Sequence, residues 1–155
     1  MMTVFVLALL IGVVAGLRSM TAPAAVSWAS RAGWLDVAAT PLAFFGYAVT
    51  PWVFTALALG ELAIDQLPTI PSRTEALPFG VRIIVGALCG GAIGASGGAL
   101  LTGLVAGIAG ATVGTLGGHA LRARLAAAFG RDRPAALIED AVAIGGAFLV
   151  MAALP

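Results

Sequence analysis

Lysine is absent from this 155-residue chain, cysteine and histidine occur once each, and charged residues make up only 10% of it. Each shortage excludes something. A single cysteine, Cys89, rules out an internal disulfide and any cysteine-built metal cluster, and its Gly/Ala surroundings mark it as a packing residue. A single histidine, His119, rules out a multi-histidine metal site, and the carboxylates make no zinc pattern, so neither a metal nor another cofactor is expected. Eight arginines against seven acids leave a net charge of +1, which gives no electrostatic reason to expect nucleic-acid binding. No nucleophile elbow, phosphate loop or dinucleotide fingerprint occurs, so an enzyme is not the expectation. The missing lysine beside abundant Ala, Gly and Arg also matches GC-rich coding, which tempers any argument from glycine.

What fills the space is apolar. Hydrophobic residues make up 61% of the chain and the mean hydropathy is +1.07. A soluble domain of this size hides only about 70% of its unfolded surface. So much apolar surface therefore points to lipid as the solvent, and the fold class expected is all-α and polytopic, a single membrane domain over residues 1–155.

A hydrocarbon core of ~30 Å needs about 20 apolar residues of helix. Five stretches meet that requirement. The first is Thr3 to Met20, read as a span because no positive segment precedes it as in a signal peptide. The second is Pro41 to Leu67, with Thr40 as cap and a kink at Thr50-Pro51. Ile83 to Gly118 carries no charge over 36 residues and divides into two spans at Ala95-Ser96-Gly97-Gly98. The fifth is Pro134 to Pro155. Thr21–Trp34 and His119–Gly130 are too short to span and read as interfacial or re-entrant helices. Trp28 and Trp34 favour the headgroup level in the first; the second sets Arg122 and Arg124 against Leu121, Leu125 and Phe129.

Five crossings place the termini on opposite faces. Arg73, Arg82, Arg122, Arg124, Arg131 and Arg133 then fall on one side and Arg18 and Arg31 on the other, so the N-terminus is expected in the cytoplasm and the C-terminus outside. The order span, short helix, span occurs twice around a single span. It suggests an inverted repeat of units 1–67 and 100–155 joined by the span 80–98, an arrangement many transporters use.

Candidate chemistry gathers at a few places. In Gly16-Leu17-Arg18-Ser19-Met20-Thr21-Ala22-Pro23 an apolar helix is interrupted by a guanidinium, hydroxyls and a proline. Freed amides at the next helix start, together with Arg18, Ser19 and Thr21, would make an anion site; the alternative is that Arg18 snorkels to the headgroups. Glu61 and Asp65 share a helix face, followed by a rigid turn carrying Ser72 and Arg73. With Glu139, Asp140, Arg82 and Arg122 they form one expected cluster, read either as a transport or gating element or as an ion-pair network locking helices. His119 is either a proton carrier or an interfacial hydrogen-bonding group. Gly86, Gly90, Gly94 and Gly98, then Gly103, Gly107, Gly110, Gly114 and Gly118, line helix faces for close packing, with the partner helix in the same chain or in a second copy forming a homo-oligomer.

The runs GLRSMTAPAAVSWA, ELAIDQLPTIPSRTE and GTLGGHALRARLAAAFGRDRPAALIEDAVAI resemble a family of small bacterial integral membrane proteins catalogued only as a domain of unknown function. The family commonly has a lysine where this chain has Gln66 and an aromatic residue where it has His119. The resemblance implies a bacterial inner-membrane protein and no particular activity. From the residues, the leading expectation is a transporter or channel for a small, perhaps anionic, solute. The competing one is a non-catalytic structural or assembly protein, and a lipid-directed enzyme using Glu61 or Asp65 as base is the third.

Overall fold

The computed structural model describes residues 2–64 and 74–154. Among them the chain is helical: α1 (Met2–Leu17), α2 (Thr21–Arg31), a 3-10 turn (Ala43–Gly46), α3 (Thr50–Ile64), α4 (Ala76–Ser96), α5 (Leu100–Phe129) and α6 (Asp132–Ala152). α4, α5 and α6 are long and apolar enough to cross a membrane, and α1 and α3 are shorter apolar helices. This is the composition of an integral membrane protein.

Proline and glycine set the boundaries. Pro23, Pro51, Pro78 and Pro134 each lie in the first turn of a helix, where the missing N–H has no intrahelical acceptor to lose. Pro51 therefore starts α3 and does not kink a longer helix. The expected second span from Pro41 is replaced over residues 41–49 by turns, with Thr40 accepting from the Leu42 amide at 3.1 Å. Gly98 and Gly130, both at positive φ, close the α4–α5 and α5–α6 turns, and the first of these falls where the sequence places it.

The glycines build the centre of the bundle. A Cβ at Gly90 would sit 2.5 Å from the Gly103 carbonyl oxygen, and one at Gly94 would sit 2.6 Å from that of Ala99. Gly107 faces the Gly86 backbone on one side, while Gly12 of α1 faces Gly107. Gly16 meets Ala111 and Thr115, and Gly110 meets Leu9. Three helices thus touch backbone to backbone, and the close packing expected of the third and fourth spans extends to the first. The partners of these faces lie within the chain. Around the seam pack Leu7, Ile11, Val14, Cys89 and Ile93, with Leu35, Val37, Leu42 and Phe45 from the segment after α2.

These pairings fix direction. α1 and α5 run parallel (Gly12 beside Gly107, Gly16 beside Thr115), and α4 runs against both, with Gly97 beside Val4. α6 opposes α1, since Arg18 pairs with Asp140 and Val14 packs on Gly146. α2 doubles back: Leu42, beyond its C-terminus, packs on Gly91, far along α4 from Arg82. α3 then returns antiparallel to α2, with Trp28 donating to Thr55 Oγ1 at 3.0 Å and Glu61 reaching Ser19.

Of the two short segments expected to be interfacial or re-entrant, Thr21–Trp34 is helical over Thr21–Arg31 and packs in the bundle, burying Ala22, Val26, Ser27 and Ala29, while the second needs correction. His119–Gly130 is not a separate short helix, because α5 continues unbroken through Gly117-Gly118-His119 to Phe129. Two glycines cost a helix about 1 kcal/mol each relative to alanine but do not break it without a proline. The pattern of span, short helix, span therefore does not recur, and with it goes the basis for the repeat of units 1–67 and 100–155. Among the described residues, helices of alternating direction bring Met2 and Leu154 to the same end of the bundle.

The seam makes opposite forecasts for the same substitution in one helix. Gly107→Ala drives a methyl into the Gly86 backbone, which has no side chain to move, and is expected to lower stability by about 1–3 kcal/mol or more. Gly117→Ala, with open space around it, should be neutral or stabilising by up to about 1 kcal/mol. Thermal unfolding of the two variants in the same detergent or nanodisc checks the contrast.

Candidate functional site

A helix that stops inside a protein leaves carbonyls without donors, and one that starts there leaves amides without acceptors. Both occur within three residues here. α1 ends at Leu17, the Arg18 amide makes one last bond to the Val14 carbonyl at 2.8 Å, and the chain turns through Ser19 and Met20 into α2.

The open carbonyls are met by a cation from α4. Arg82 Nη1 donates to the Gly16 carbonyl at 2.9 Å and to the Leu17 carbonyl at 2.8 Å, while Thr115 Oγ1 of α5 donates to Gly16 at 3.3 Å. The open amides are met by an anion from α3. Glu61 Oε1 accepts from the Ser19 amide at 2.9 Å and from Ser19 Oγ at 2.7 Å, and Oε2 accepts from the Met20 amide at 2.8 Å. Each charge also has the sign the helix dipole favours, positive at the end of α1 and negative at the start of α2. Arg82 Nη2 stands 3.6 Å from Glu61 Oε1, so the two caps neutralise one another. Arg82 is 6% exposed and the Glu61 side chain 12%.

A second set of pairs surrounds this junction. Arg18, 1% exposed, pairs with Asp140 of α6, so it neither snorkels nor stands as a free cation. Glu139, the next residue, is reached by Arg122 Nη1 at 3.5 Å, and Arg122 also grips Asp132 through two bonds of 2.9 and 2.5 Å. α6 thus offers Asp132, Glu139 and Asp140 to arginines of α5 and α1.

Of the expected site residues, Arg18, Ser19 and Glu61 meet at or beside the junction, and Arg122, Glu139 and Asp140 form the flanking pairs. Thr21 is buried at the start of α2 but does not cap it; the position before it, Met20, has no side-chain cap, and Glu61 serves from another helix. His119 is exposed on α5 and takes no part in the described pairs. Asp65, Ser72 and Arg73 lie outside the described residues. Arg82 and Thr115 carry more of the site than sequence reasoning assigned to them. Arg82 stands at the edge of an apolar run, where it reads as a span-flanking charge, and Thr115 is one hydroxyl among glycines. Only the need of a broken helix for donors at its C-terminal end signals either one.

A cleft of about 280 Å³ opens at the far end of α2, lined by Ser30, Leu35, Asp36, Val37, Ala43 and Tyr47 among others. Between it and the junction, the Ser27 and Ser30 hydroxyl oxygens are buried on one face of α2 and have no hydrogen-bond partner among the described residues.

No protein-family model, curated protein or solved structure matches this chain.

The cross-capping can be tested by removing one side. Arg82→Ala leaves the Glu61 carboxylate and two α1 carbonyls without their cation and should destabilise the fold by about 3–5 kcal/mol. Arg82→Ala with Glu61→Gln, which also removes the buried negative charge, should recover part of that loss. Denaturation in mixed detergent micelles measures both, and an unchanged midpoint for Arg82→Ala would refute the assignment.

Proposed function

We propose that this protein is a multi-pass bacterial inner-membrane transporter or channel for a small anionic solute, with the α1–α2 junction as its binding and gating element. The observation that carries the reading is the cross-capped break. Burying four charged groups around an interrupted helix is costly, and well-packed apolar residues would hold the same helices as well or better. Broken backbone at membrane depth is tolerated against protein or a water-lined cavity, and half-helix ends facing one another at charged side chains are a recurring way of binding ions in transporters. The buried hydroxyls of Ser27 and Ser30 add polar groups to the half of α2 nearer the cleft at Asp36 and Tyr47. In the conformation described, Glu61 fills the anion position, which makes this the closed state.

Orientation follows from the same-end termini. Arg18, Arg82, Arg122, Arg124, Arg131 and Arg133 belong to the junction end of the bundle and Arg31 to the other. By the positive-inside rule, the end of the bundle that holds the junction faces the cytoplasm in this proposal and both termini lie on the other side, where five crossings had Met1 inside. Reporter fusions at the two ends should both report the non-cytoplasmic side; reporters on opposite sides would return the count to an odd number.

The second reading, a structural or assembly protein, is favoured by the pairing of the buried charges Arg18, Arg82, Glu139 and Asp140. Flux separates the two. Proteoliposomes holding the wild type should pass a small anion such as acetate, phosphate or chloride, and Arg18→Gln, once circular dichroism and gel filtration establish that it folds, should slow it about tenfold or more, since each 1.4 kcal/mol lost is a factor of ten. Absence of flux across that panel would favour the structural reading.

A further inference from the structure

We propose that the cleft at the far end of α2 is a binding site for a primary ammonium group, of the kind carried by an ethanolamine lipid headgroup or by a small free amine. The site is separate from the α1–α2 junction and does not depend on the transport reading.

Two stretches of irregular chain make its walls. One is the turn after α2, with Leu35, Asp36 and Val37; the other is the 3-10 turn and the residue that follows it, with Ala43 and Tyr47. Both are anchored from beneath. Leu35, Val37 and Phe45 are buried in the core, Thr40 Oγ1 donates to the Val37 carbonyl at 2.8 Å, and Thr50 Oγ1 donates to the Phe44 carbonyl at 2.8 Å. The space of about 280 Å³ between the walls is therefore preformed, as small-molecule sites usually are.

The polar groups around that space favour a cation with hydrogens to donate. Ser30, Asp36 and Tyr47 bring a hydroxyl, a carboxylate and a phenol to the lining, and all three can accept. Asp36 Oδ1 accepts from the Ala38 amide at 3.1 Å, and among the described residues no cation pairs with the carboxylate, Arg31 included. The Ser30 hydroxyl oxygen is buried, Tyr47 is exposed, and neither hydroxyl has a partner among those residues. The carbonyl end of α2, which closes at Arg31, adds the negative end of its dipole. An ammonium group offers three N–H donors to these three oxygens. A quaternary ammonium offers none and would need several aromatic rings, where Tyr47 is the one ring in the lining. A buried hydroxyl left without a partner costs stability, so an occupant that bonds to Ser30 recovers part of that loss.

The cleft also sits where headgroups are. Trp34, Tyr47 and Trp52 are exposed at this end of the bundle, the usual placement of aromatic residues at the membrane surface. Lipid amines are concentrated there, which makes the headgroup the first source to try.

The test uses the full chain in nanodiscs of phosphatidylcholine and phosphatidylglycerol, neither of which carries a primary amine. Replacing part of the phosphatidylcholine by phosphatidylethanolamine, or adding ethanolamine to the buffer, should raise the melting temperature saturably, as a ligand of the folded state does. Choline at equal ionic strength should not. Asp36→Asn keeps an oxygen for the Ala38 amide and removes the charge, so it should weaken the apparent affinity for the amine about tenfold or more. Ser30→Ala should leave the amine-free melting temperature unchanged or higher, because the hydroxyl has no partner to lose, yet reduce the shift that the amine produces. A shift from phosphatidylethanolamine alone supports the site with lipid as its source, and a shift from ethanolamine supports it with a soluble amine. No shift from either, a shift that choline reproduces, or one that Asp36→Asn leaves at full size overturns the proposal. Should Asp36→Asn fail to fold, Ser30→Ala and the choline comparison decide: a full shift in Ser30→Ala then overturns it.

Discussion

The structure depends on a pair of opposite charges set across a gap in a helix. α1 stops and α2 starts after only three intervening residues, which strands carbonyls on one side and amides on the other. Arg82 answers the first and Glu61 the second, and their separation of 3.6 Å links the two solutions. Neither residue belongs to the interrupted helix. In water such ends would be solvated at small cost, but away from water each open group costs several kcal/mol. The fold therefore needs α3 and α4 to arrive at the break from opposite sequence directions, and the doubling back of α2 is what brings α3 there.

That convergence is possible only because α1, α4 and α5 approach so closely. With Gly12, Gly16, Gly86, Gly90, Gly107 and Gly110 facing backbone, no side chain separates the helices, and Arg82 and Thr115 both reach the Gly16 carbonyl from neighbouring helices. A methyl group on the seam would push α4 away from α1 and lengthen those bonds. Lipid supplies no hydrophobic drive between helices, so close packing and polar contacts must act together. The Gly16 position shows the coupling most directly, since its missing side chain admits α5 and its carbonyl receives both donors.

The sequence carried the membrane character, the turn at Gly97-Gly98, the glycine packing and the interruption after Leu17, because each rests on local chemistry or on composition. The charged groups were also largely named, since an ionisable residue in so apolar a chain stands out. Their partners were not legible. Which acid meets which arginine depends on the direction of α2, and an eleven-residue helix with one tryptophan inside it and another just beyond reads equally well as lying at the surface. Pro51 misled in the same way, since a proline inside an apolar run marks either a kink or a start, and only the turns over residues 41–49 distinguish them. Gly117-Gly118 looked like a break because glycine is a poor helix former, yet α5 has neighbours along its length that outweigh propensity.

One consequence of α2's direction reaches beyond topology. Because α2 turns back from the junction, its first amides and the last carbonyls of α1 lie at the same end of the bundle, and the dipoles of the two helices oppose each other, with the negative end of one beside the positive end of the other. A lone ion of either sign would satisfy one half and repel the other. The junction therefore has to be filled by a cation and an anion together, and Arg82 is the member whose helix is sealed into the glycine core while Glu61 is the member whose helix is not.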